Sequence, residues 1–184
     1  MATMPIWVWA LIAVAVVALL AVAGYFIWRW WWYRYSRRYL VRLIGKQESL
    51  AASRRTLEAI LRHLADEPEE ALLEFAANED SVDRKALDEE YQRCVLLEDE
   101  LRTIPMPKRL IPTADALADV AEVLARESGR FADGRSDDEV LEALSALDLD
   151  AVTARFDEAD EMMKDALEYY DVDDTAVYGG GLYI

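Results

Sequence analysis

The 184-residue sequence carries 20 Lys and Arg against 36 Asp and Glu, a net charge of −16, with one histidine and one cysteine. The acid excess argues against binding nucleic acid by phosphate neutralisation, the lone cysteine excludes an intramolecular disulfide framework, and the single histidine excludes the ferritin-like pair of Glu-x-x-His motifs. The charge is also segregated: residues 1–46 hold six basic and no acidic side chains, while the remaining 138 hold 14 basic and 36 acidic, a net of −22.

Residues 1–4 are a short uncharged start, followed over 5–28 by a run that is apolar to Trp28. A helix rises 1.5 Å per residue, so this run covers the roughly 30 Å hydrocarbon core of a bilayer, and Pro5 falls harmlessly at its start. Trp7 and Trp9 at one end, and Trp28, Trp30, Trp31, Trp32 and Tyr33 at the other, suit the headgroup zone, where amphipathic rings settle. Arg29, Arg34, Arg37 and Arg38, with Arg42 and Lys46, make residues 29–46 a basic aromatic collar that attracts anionic headgroups, and no basic residue precedes the span. That asymmetry predicts a single-pass membrane protein with its N-terminus outside and its C-terminal part cytoplasmic. The competing expectation is a signal peptide cleaved after Ala21-Val22-Ala23, and the missing basic n-region and the basic residues on the far side oppose it. Ala10, Ala13, Val17, Ala21 and Gly24 share one side of the helix, a strip narrow enough for another helix to pack closely; the bland reading is an alanine-rich span.

From residue 47 to 170 the pattern is helical and acidic. Leu43, Leu50, Leu57 and Leu64 recur at sevens with Ile60 between, which predicts an amphipathic helix ending near Asp66. Asp66-Glu67-Pro68 starts a short helix with Leu72, Leu73 and Phe75 inward. After Asn78-Glu79-Asp80-Ser81, the stripe Leu87, Tyr91, Cys94, Leu97, Leu101, Ile104 predicts a long helix with one buried face. The prolines of PMPKRLIP mark a loop, and Thr113 is placed to cap the helix carrying Leu117, Val120, Ala121 and Leu124. Ser128-Gly129 closes that helix before a linker over 131–134. Ser136 and Glu139 form a capping box for a helix through Val140, Leu141, Leu144 and Leu147. The last stripe runs Leu149, Val152, Phe156, Ala159, Met163, Ala166, Tyr170. No period-two alternation occurs, and the expected fold is all-α: an antiparallel helical bundle behind one transmembrane helix. Each stripe fits a core or a coiled-coil seam with a partner or second copy; the short helices, which need a surface to pack on, favour core.

No motif names a reaction. His63 and Cys94 would need proximity and a third orienting group to act as a nucleophilic pair, and consecutive acids such as Glu98-Asp99-Glu100 point in different directions on a helix. Asp171-Val172-Asp173-Asp174 starts like a calcium loop but has Ala176 where the turn needs glycine and Leu182 where it needs a bidentate acid. Gly179-Gly180-Gly181 lacks the lysine and helix of a phosphate loop. No catalytic residue, metal ligand or cofactor is therefore expected. The tail, 171–184, ends in Leu182, Tyr183 and Ile184 after its glycines, a form suited to docking on a partner's sheet edge or carboxylate pocket, or else disordered or folded back on its own bundle. The expected function is that of a membrane-anchored adaptor or accessory subunit working through protein contacts; the alternative is an enzyme or metal-binding protein whose bundle holds a site no motif reveals.

Overall fold

The computed structural model describes residues 6–147 and 149–172, and the tail residues Leu182, Tyr183 and Ile184 lie outside that set. Six α-helices and one 3-10 turn make up the described chain: α1 (Ile6–Ala65), α2 (Glu69–Ala77), α3 (Val82–Thr103), α4 (Ile111–Ser128), the turn Gly129–Phe131, α5 (Asp137–Ser145) and α6 (Leu149–Tyr169). Contacts divide the chain into two compact units, Met1–Arg38 and Tyr39–Ile184.

α1 is continuous because nothing within it removes an amide or clashes with the preceding turn. A side chain at Gly24 or Gly45 would meet nothing within 4 Å, so neither glycine marks a close approach. It stops where Pro68 biases Glu67 out of helical geometry, and Asp66 N–H then donates to the His63 carbonyl at 3.2 Å. In the second unit, α1 buries Leu40, Leu43, Ile44, Leu50, Leu57, Ile60 and Leu64. Leu43, Leu50, Leu57, Ile60 and Leu64 are the predicted heptad stripe and are core; Leu40 and Ile44 extend it.

Two contacts to α3 and two to α6 fix how α1 lies in this unit. Lys46 donates to Glu100 and Ser53 meets Cys94, so α3 descends as α1 ascends. Gln47 donates to Asp160 at 2.5 Å and Arg54 to Thr153 at 3.1 Å, so α6 is antiparallel to α1 as well. α4 packs on both α3 and α6, completing the helix-on-helix packing of a bundle. α2, α5 and the 3-10 turn contact one another and close the end near Leu64, where Phe75 and Phe131 meet with centroids 6.2 Å apart.

Several side chains fall elsewhere than their spacing predicts. Leu73 is 50 % exposed, because a two-turn helix has room to bury only Phe75 and Ala76. Tyr91 and Ile104 are half-buried rather than core. Thr113 is inside α4, not at its cap: Pro112 takes the first turn, and the buried Thr113 hydroxyl donates to the Met162 carbonyl at 3.3 Å. Phe131, read as linker, is fully buried in the 3-10 turn. In α5 the inward residues are Val140 and Ala143, with Leu141, Leu144 and Leu147 half-buried, and Leu149 is exposed at the start of α6. The Ser136–Glu139 capping box is complete in both directions. Gly129 lies so close to Tyr91 that a Cβ there would stand 2.9 Å from two ring carbons.

The spacing gave no hint of Arg84, the largest fully buried side chain. It lies in the first turn of α3, where the Ser81 hydroxyl accepts its N–H at 3.2 Å. Its guanidinium donates to the carbonyls of Phe131 at 2.9 Å, Ala76 at 3.0 Å and Ala132 at 3.5 Å, and stands 5.8 Å above the Phe75 ring. Those carbonyls end α2 and the 3-10 turn, where backbone dipoles leave partial negative charge. Burying a cation is costly without such partners, and their loss strands carbonyls in the interior. Arg84→Met keeps the stem but removes every donor; it is expected to cost about 3 kcal/mol or more in urea unfolding. Ser136→Ala, which removes one exposed cap, should cost about 1 kcal/mol. Equal losses for the two would contradict the role given to Arg84.

Candidate functional site

In the first unit, the helix leaves its apolar side chains uncovered all round. Leu19 is 71 % exposed, Trp28 60 %, and none of the most apolar 18-residue window is buried. One helix of this length and composition meets the requirement for a membrane span by those two criteria. Beyond it the rings pair along the helix: Trp28 stacks on Trp32 at 6.2 Å, Trp31 on Tyr35 at 5.7 Å, and the Arg34 guanidinium sits 4.9 Å from the Trp30 centroid. Spacings of four produce these contacts, since i and i+4 share a face. Trp30, Trp31, Arg29, Arg37 and Arg38 are exposed, and Tyr33 is half-buried. Ala13, Val14, Val17, Ala18 and Ala21 line a shallow hollow on one side, and Gly24 is exposed farther along. The side chains of Trp7, Trp9 and Ala10 lie outside the described residues.

The second unit has a groove of about 550 Å³ between α1 and α3, near the start of its part of α1. Leu43, Leu97, Leu101, Ile104 and Met106 give it an apolar floor and wall, and Tyr39, Arg42, Lys46, Ser49 and Glu100 supply the polar rim. Lys46 and Glu100 pair across the groove, and Arg42 lies 5.5 Å from the Tyr39 ring. The pairing of a leucine face on α1 with a proline-ended α3 opens this space: α3 stops at Thr103 before Pro105, leaving Met106 in the loop beside α1. Periodicity located both stripes but could not show the space left between them here.

Chemistry-bearing residues are not brought together. His63 is 62 % exposed and 3.7 Å from Glu67. Cys94 is buried against Ser53, and His63 lies ten residues farther along α1, about 15 Å by helical rise. Among the described residues, no group of three or more His, Cys, Asp or Glu is placed to hold a metal ion. Glu127 is fully buried yet held by Arg126 at 3.0 Å and Arg130 at 3.1 Å, so it ties the last turn of α4 to the 3-10 turn. Arg102 gathers Glu98, Asp119 and Glu122 on the exposed faces of α3 and α4, and its charged form is favoured by the Glu98 hydrogen bond.

The chain matches no family model, no curated protein and no solved structure.

Burial pushes the Cys94 thiol up to about 11, with the nearby Glu90 carboxylate adding to the rise and the Ser53 hydroxyl opposing it. The thiol is therefore protonated throughout the neutral range, and proton loss favours the unfolded chain, where an ordinary thiol ionises near 9.0. Folding stability should fall as pH rises from that value through 11. At pH 8, maleimide should label Cys94 on the order of 100-fold more slowly than in urea-unfolded protein, from the thiolate fraction alone. Equal rates would show Cys94 to be open to solvent.

Proposed function

We propose that the protein is a single-pass, membrane-anchored helical adaptor or accessory subunit, with its bundle in the cytoplasm, acting by protein contacts rather than by a reaction. One observation carries this reading: an apolar helix whose side chains are left exposed among the described residues. Apolar area costs about 25 cal/mol per Å² in water, so a surface of this kind needs lipid or a partner. The aromatic cluster from Trp28 to Tyr35 and the basic residues after it suit a headgroup layer, and the one-sided placement of Lys and Arg favours a cytoplasmic bundle. The bundle is a multi-helix domain of the kind that engages other proteins. Its groove and its surfaces supply contacts; the buried polar groups Arg84, Thr113 and Glu127 are taken up by the fold.

Expressed as the full 184-residue chain, the protein should remain in the membrane pellet through alkaline carbonate extraction, and protease added outside intact cells should leave the bundle uncut. Release into the supernatant would defeat the anchor, and cleavage of the bundle from outside would reverse the orientation. The hollow at Ala13 and Ala21 is the favoured approach for a partner helix, because small side chains let backbones come close. Ala13→Leu with Ala21→Leu should release subunits that co-purify in mild detergent while leaving the chain in the pellet. Unchanged co-purification would place the contact on the bundle instead.

A further inference from the structure

The second unit is polarised in charge along its helices. At the end closed by α2, α5 and the 3-10 turn, residues 66–83 carry eight acids and no lysine or arginine. At the other end, residues 101–114 run from the last turn of α3 through the loop into α4 without an acid, the longest such stretch in 47–170. Its cations are Arg102, Lys108 and Arg109. Arg102 is taken up by Glu98, Asp119 and Glu122. Lys108 and Arg109 are exposed and, among the described residues, make no salt bridge.

Apolar and aromatic side chains stand beside these two cations. Ile104, Met106 and the exposed Ile111 border a hollow of about 370 Å³ around the loop. The Arg109 guanidinium lies 4.2 Å over the ring of Tyr169, itself exposed at the end of α6. α6 is antiparallel to α1 with Asp160 beside Gln47, which brings Tyr169 about level with Tyr39. Asp115 and, around Tyr169, Glu168 and Asp171 are exposed acids at the margin, and the loop itself stays cationic. The chain enters this unit at Tyr39, directly after the stretch from Trp28 to Arg38 whose rings and arginines suit a headgroup layer. Exposed cations, an amphipathic ring and an exposed aliphatic side chain on one surface are attracted to an anionic bilayer, and the acidic far end is repelled by it. Attachment of the chain beside this end keeps a bilayer at high effective concentration, which favours lipid over an acidic protein as the occupant.

We propose that the loop end of the bundle is a second membrane contact, in which Lys108 and Arg109 rest on anionic headgroups with Ile111 and Tyr169 at the interface beside them. The acidic end then points away from the bilayer, and the bundle has one orientation on the membrane surface. The inference rests on the anchor proposed above and adds to it a site on the bundle itself.

The test uses the full chain in bilayer nanodiscs that contain a nitroxide-headgroup lipid. A fluorophore is placed on Thr103→Cys, exposed beside the loop, or on Glu142→Cys, exposed on α5 at the acidic end; native Cys94 is buried and does not compete. A tethered bundle meets the bilayer by chance, so dependence on charge is what decides. With phosphatidylglycerol in the disc, the nitroxide should quench the Thr103 site strongly and the Glu142 site little, and discs of phosphatidylcholine alone should quench the Thr103 site far less. Lys108→Glu with Arg109→Glu should lower the ratio of docked to free bundles about 30-fold or more, a factor of about five for each cation lost. Lys108→Arg with Arg109→Lys should preserve it. Quenching at Thr103 that ignores anionic lipid, or that survives the charge reversal, would overturn the proposal. Shielding of that site from aqueous iodide without quenching by lipid would do so too, and would assign the loop to a protein partner. A chain that stays out of the discs would instead defeat the anchor on which this contact depends.

Discussion

The bundle depends on one constraint: its part of α1 must present an unbroken apolar row on one side while every neighbour packs against that row. Leu43, Leu50, Leu57 and Leu64 sit seven residues apart, so they drift only slightly around the helix and stay in register over three heptads. α3 and α6 meet α1 from two sides, each with a pair of polar contacts. The one ion pair among them, Lys46–Glu100, contributes little, since a partly exposed ion pair is worth about 1 kcal/mol or less. These contacts set direction and register, and the leucines supply the driving force. The first unit shows the contrast, because there the same helix, over residues 13–28, is apolar on every side and has no polar face to turn outward.

Closure of the far end uses a different kind of interaction. α2, the 3-10 turn and α5 are each too short to hold their shape by propensity, since a lone helix of under about 12 residues is marginal in water. Arg84 joins them by giving its donors to carbonyls from two of them while Phe75 and Phe131 pack alongside. A leucine there would fill the space but leave those carbonyls bare. The arrangement also explains why Ser81 matters beyond its cap: fixing the first turn of α3 fixes the direction in which Arg84 projects.

Periodic side chains were legible in the sequence and aperiodic ones were not. Every position of the Leu43-to-Leu64 row and the inward row Val152, Phe156, Ala159, Met163, Ala166 is buried as its spacing predicts. Proline and serine punctuation placed the ends of α3 and the start of α5 for local reasons that need no tertiary information. Arg84 and Phe131 escaped because an arginine in a first turn and a phenylalanine in a linker have ordinary local readings, and the carbonyls that Arg84 meets lie 8 to 48 residues away; Glu127 escaped because a glutamate between two arginines reads locally as a surface ion pair. Thr113 was misassigned for a similar reason: Pro112 and a threonine at a helix start suit a cap locally, but the Met162 carbonyl of α6 claims the hydroxyl. The groove was invisible for a third reason, since it is lined jointly by α1, α3 and the loop after α3 rather than by any one of them.

The groove differs in kind from the exposed apolar residues elsewhere on the bundle. Leu96 is 70 % exposed, and Val95 and Leu73 are exposed as well. Val95 and Leu96 are neighbours on a helix and point in different directions, so they form no common face, and Leu73 belongs to the other end of the bundle. Single exposed apolar residues are ordinary on protein surfaces. A concave site differs because its side chains converge: Leu43 and Leu101 are buried where the helices pack together, while the half-buried Ile104 and Met106 continue the same apolar wall toward solvent. A ligand entering there gains contact on two sides at once. An apolar residue set on Leu96 gains it on one. In the adaptor role proposed above, recognition by this bundle would be placed by shape rather than by the count of exposed hydrophobic residues.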